Sequence, residues 1–183
     1  MAIDQSIDAN FKVEDLERAS WDKIIAADIA VELEHPLAEK ASTIPEMRRF
    51  LAIKGLRELR KYLEQASLEK AGAEALRAVC LAMRSFAVAR PGLSAAAFRN
   101  PGTEAPEWRG AIEAVDRTVL WPLSECGIEG ETAQQALRAF RALARGFVLH
   151  EMAISFTDAI DYEESYRFAV NLLIRGLKDL HRA

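Results

Sequence analysis

The side chains of this sequence that could do chemistry are spaced in a way that argues against most of it. His35, His150 and His181 lie far apart, and no H-x-x-x-H or C-x-x-C pair occurs, so no metal site is expected. No Ser-His-Asp order, phosphate-cradling glycine loop or nucleotide motif stands out, so neither an enzyme nor a cofactor is expected. Asp158, Asp161, Glu163 and Glu164 gather where the last helical pattern begins, and acids favour a helix N-terminus. Arg145 and His150 remain, both on a largely apolar helical pattern. Arg145 can snorkel to solvent, pair with an acid or bind an anionic ligand. His150 can serve as a polar group in a ligand pocket or bond across a dimer.

The elements that must carry these residues read as helices. Alanine, leucine, arginine and glutamate dominate and strand alternation is nearly absent, so the expected class is all-α. Thr43 and Glu46 have capping-box spacing, and Pro45 suits a first helical turn. The helix from Ile44 puts Ala52, Leu56, Leu59 and Leu63 on one stripe, with Arg49, Arg57, Arg60 and Lys61 opposite. A second helix carries Leu76, Val79, Met83 and Phe86 and stops at Pro91-Gly92. "LSAAAF" is a short apolar helix, and a Pro/Gly-rich loop follows it. Another helix begins near Pro106 or Glu107, with Ile112, Val115 and Val119 on one face and Trp108 and Trp121 at its two ends. The last two helices are expected over residues 132–156 and 162–182. Each has apolar residues on two adjacent faces, so each needs cover on more than one side. That cover is either a second copy of the chain, meeting Tyr166, Val170, Leu173 and Leu177, or a central place in one core.

The 183 residues are half apolar, enough for one substantial core or a small domain joined to a larger one. The net charge of -4 excludes a strongly basic nucleic-acid binder. "MAIDQSIDANFKVED" has no basic or apolar region of a signal peptide, and no apolar run suits a membrane span. A cytoplasmic protein with free thiols at Cys80 and Cys126 is therefore expected.

Residues 1–43 hold ten acids against four bases, a balance of -6 that leaves +2 for the rest. A helix from Trp21 to about Ala30 and a short segment near Pro36 permit a helix-turn-helix. The second element would present Glu32, Glu34 and Glu39 with only Lys40 opposing, and phosphates would repel it. Pro36 inside so short a helix costs about 3 kcal/mol unless it sits in the first turn.

"MRRFLAIKGLRELRKYLEQA", "ALRAVCLAMRSFAVARPGLSAAAF", "ALRAFRALARGFVLHEMAISF" and "FAVNLLIRGL", in this order, resemble the TetR family of transcriptional regulators. More narrowly they resemble the subgroup with a Trp/His-Gly signature in the penultimate helix. Gly146 stands at its glycine, and Arg145 stands where its histidine would be. The resemblance covers roughly residues 44–180. It implies an all-helical, ligand-binding and dimerising domain over 44–183, with 1–43 in the place of the DNA-binding helices. That segment departs from the family's pattern, with no glycine in the turn and no aromatic in the recognition helix.

The implied function is ligand-controlled transcriptional regulation by a homodimer that binds DNA. The alternative is a module of the same fold, binding a small molecule or a protein partner, that no longer contacts DNA. The resemblance also implies a pocket for a small apolar ligand, lined by Met83, Phe86, Trp121, Phe140 and Phe147, with Arg145 or His150 orienting a polar end. The same aromatic residues in a closed core would look identical in sequence.

Overall fold

The computed structural model describes Asp28, Val31, Glu32 and residues 43–98, 105–155 and 158–182. Among these residues there are six complete helices and no strand. The helix-turn-helix expectation for 1–43 lies outside the described residues, apart from Asp28, Val31 and Glu32, which are helical, and Thr43.

Thr43 opens α1 (Ile44–Ser67) with both halves of the capping box. Its Oγ1 accepts from the Glu46 amide at 3.4 Å, and its own amide donates to Glu46 Oε2 at 3.0 Å. Pro45 loses nothing there, because amides of the first turn have no partner within a helix. α2 (Gly72–Ala89) begins at a glycine with φ of 51°, whose amide donates to Glu125 Oε2 at 2.6 Å. α2 stops before Pro91, because proline disfavours the helical conformation of the residue ahead of it. Arg90 takes an extended φ of -134°, and Pro91 starts α3 (Pro91–Ala97). α4 (Pro106–Glu125), α5 (Gly130–Met152) and α6 (Tyr162–Arg182) complete the order.

α2 is the central helix and packs against each of the other five. Leu76, Val79, Met83 and Phe86 are consequently buried. Around them lie Leu56, Leu59 and Leu63 of α1, Val115, Val119 and Leu123 of α4, Phe140 of α5 and Tyr166 and Val170 of α6. α3 lies directly on α1. A Cβ added at Gly55 would stand 2.4 Å from the Leu93 carbonyl oxygen, so only glycine admits this crossing.

α5 ends four residues short of the expected 156. Ile154 has a φ of 49°, and Ser155 turns back to cap the helix. The Ser155 amide and hydroxyl donate to the His150 carbonyl at 3.0 and 3.1 Å, and its Oγ lies 2.7 Å from His150 Nδ1.

Candidate functional site

A cleft of about 410 Å³ opens where four helices meet. α1 contributes Leu56 and Leu59, and the end of α3 contributes Ala97 and Phe98. Trp108 and Ile112 come from α4, and Arg141, Ala142 and Arg145 from α5. The pairs Trp108–Ile112 and Arg141–Arg145 are each one helical turn apart, so each projects to one side of its helix. Arg141 Nη2 forms a close ion pair with Asp116 of α4. Burial pushes the Asp116 carboxyl above its ordinary pKa, Arg141 opposes that, and Glu113 adds to it. Two buried donors in this wall, Trp108 Nε1 and Arg141 Nε, meet no acceptor. Arg145 is exposed at the cleft.

Of the seven expected pocket residues, Arg145 alone lines this cleft. Met83 and Phe86 are core residues instead, because the other five helices surround α2, and Phe140 of α5 is buried in the same cluster. Phe147 packs edge-on against Tyr166, with ring centroids 5.3 Å apart. His150 sits in the cap of α5. Trp121 is 65% exposed, two positions from both Val119 and Leu123 and so about 200° around α4 from that buried stripe. It borders a different groove, of about 480 Å³, with Arg60, Leu68 and Arg117.

The same rotation sorts α6. Tyr166 and Val170 turn into the core of their own chain, and the Tyr166 hydroxyl donates to the Cys80 carbonyl at 2.8 Å. Leu173 and Leu177 are half-buried at the flank. The outward stripe is Phe168, Leu172 and Gly176, with Phe168 66% exposed.

A second constellation joins the N-terminal segment to this body. Arg90 donates from Nε to Asp28 Oδ1 at 3.0 Å and from Nη1 to Glu58 Oε2 at 2.8 Å, and Nη2 binds Glu32. Lys54 forms a close ion pair with Glu32. The Leu93 amide donates to Asp28 Oδ2 at 3.0 Å. Burial alone would raise the Glu32 carboxyl, but the Lys54 and Arg90 cations outweigh it and hold it below its ordinary pKa. Two of the ten N-terminal acids are therefore spent on the body of the protein, and the charge of -6 overstates what the segment can present elsewhere.

Sequence reasoning passed over Arg141 and Arg90, and it marked Trp108 only as an aromatic residue at one end of its helix that suits a pocket wall or a core equally. The one-turn spacing of both cleft pairs was available as a signal. The Arg90 cluster had none, since its partners lie 32 to 62 residues away.

Among the described residues no helix is long and apolar enough to cross a membrane, and no three metal-binding side chains cluster. Residues 76–173, more than half of the chain, match the tetracyclin repressor-like C-terminal domain. The chain belongs to that family, whose members are regulators rather than enzymes. It is also similar to an uncharacterized HTH-type transcriptional regulator of Mycobacterium tuberculosis. The two are 29% identical over 167 residues, which span 89% of this chain and 76% of the relative.

Proposed function

We propose that this protein is a ligand-responsive transcriptional regulator, with the cleft beside Arg141 as its ligand seat and residues 1–43 as its DNA-contacting part. The observation that carries the reading is the placement of α3. Leu93 near its start bonds Asp28 of the N-terminal segment, while Ala97 and Phe98 at its end wall the cleft. A ligand that favours one position of α3 thereby favours one position of the segment, and only such a difference shifts an equilibrium. The similarity to an HTH-type regulator supports the DNA-contacting role. Gly146 at the signature glycine favours the Trp/His-Gly subgroup.

The test is salt-dependent binding of fluorescent DNA from the gene's own promoter region, read by anisotropy with and without a cleft ligand. A sequence-preferring complex that weakens with salt is expected. The acid excess of residues 1–43 favours a second reading, a module of this fold without DNA contact. Absence of any salt-sensitive complex in both states would leave that reading standing.

The regulator acts as a homodimer through α5 and α6. Support comes from the exposed stripe of Phe168, Leu172 and Gly176 on α6 and from Ala139 and Leu149, also exposed, on α5. A Cβ at Gly146 or Gly176 would meet nothing within 4 Å, so both glycines leave room for a partner helix. Light scattering should give twice the monomer mass, and Phe168→Glu should give the monomer mass. A wild-type monomer at micromolar concentration would defeat the assembly.

A further inference from the structure

We infer that the cleft selects apolar molecules that end in a carboxylate. The inference rests on the cleft being the ligand seat and adds the chemistry of what fills it.

Trp108 Nε1 and Arg141 Nε are donors with no accepting capacity. Both are buried and both lack a partner, in a protein class where nearly all buried polar groups are satisfied. Each leaves a desolvation penalty standing, which a ligand acceptor removes once the side chain turns its N–H toward the cleft. None of the described lining residues carries an acceptor side chain, so the wall can receive an acceptor and has none to offer a donor.

Charge points the same way. Arg141 and Arg145 lie one turn apart, and Asp116 pairs with Arg141. Burial already disfavours the Asp116 charge. The Arg145 cation therefore remains for a ligand, and a single cation matches a carboxylate better than a phosphate dianion. Two oxygens suit two orphan N–H groups, with the Arg145 guanidinium closing over them from the rim. The other lining side chains are hydrocarbon, from Leu56 and Leu59 to Phe98 and Ile112, and they exclude a polar body. A volume of about 410 Å³ is that of a small-molecule site.

The experiment is calorimetric titration of the full chain with dodecanoate and naphthoate, each beside its methyl ester and its alcohol, below micelle-forming concentrations. At least one acid should bind about tenfold more tightly than its ester, the scale of one charge-assisted hydrogen bond. Trp108→Phe deletes one N–H, and Arg145→Met deletes the exposed cation. Each should weaken the acid severalfold and the neutral ester less, with melting temperatures confirming that both variants fold. An ester or alcohol that binds as tightly as its acid overturns the carboxylate selection and leaves the ligand seat intact. Acid binding that neither variant weakens also overturns it. Absence of binding by acids, esters and alcohols alike overturns the seat as well.

Discussion

Arg90 and Arg141 carry the same guanidinium and use it to different extents. Arg90 has all three of its nitrogens engaged, by Asp28, Glu58 and Glu32. Arg141 binds Asp116 through Nη2 and leaves Nε buried without an acceptor. A guanidinium with every donor used acts as a strut, because moving it breaks several charge-assisted bonds together. A guanidinium with a donor unused holds a position for something else. Under the proposed function the junction is the rigid end of the device and the cleft its receptive end, with α3 between them.

The largest expected effect lies at the junction. Arg90→Met leaves Asp28 and Glu58 without their cation and Glu32 with Lys54 alone. Removing one partner from such a mostly buried set costs about 3 kcal/mol. Urea unfolding followed by circular dichroism measures it. A loss below about 1 kcal/mol would mean that solvent already screens the cluster and that no strut exists.

Gly55→Ala attacks the link between the two regions. The added methyl meets the Leu93 carbonyl, so backbone must move and about 2 kcal/mol is lost. Because α3 shifts, cleft affinity and DNA affinity should fall together. A variant with both affinities unchanged would separate α3 from the device.

Acid distinguishes the regions by sign. The Glu32 carboxyl titrates lower in the folded chain than in the unfolded one. Its contribution is fully present above the unfolded carboxylate range and is lost as pH falls through the folded value. Asp116 is shifted the other way, so its charge costs stability above the folded value and that cost disappears on acidification. Unfolding free energies measured from neutral pH down through the carboxylate range should therefore respond oppositely. Glu32→Gln should reduce the acid-dependent loss, and Asp116→Asn should make it steeper. Equal slopes in both variants would break the contrast.

The smallest effect is expected in the cleft. Trp108→Phe keeps most of the apolar ring and removes an N–H that has no partner, so stability should change by less than about 0.5 kcal/mol or rise. A loss of about 1.5 kcal/mol or more would show that Trp108 Nε1 is satisfied in solution and that the cleft is less receptive than its walls suggest.

What the sequence determined by itself is local. The Thr43–Glu46 capping box, the stop enforced by Pro91, the helix opened by Pro106 and the inward stripe of α1 all depend on neighbours within a few residues. There, propensity and hydrogen-bond geometry suffice. The all-helical class follows from the same signals. Periodicity also marked Tyr166 and Val170 as one stripe of α6, but it could not say whether that stripe met a second copy of the chain or α2. Only packing decided that it faces inward, that Met83 and Phe86 fill the core, and that Trp121 is left outside. Packing also brought Asp28 and Glu32 onto Arg90 across about sixty residues of chain and left Trp108 Nε1 and Arg141 Nε, of two cleft-lining residues, buried without an acceptor. A helix sequence specifies which residues share a face, and the tertiary fold specifies what that face meets.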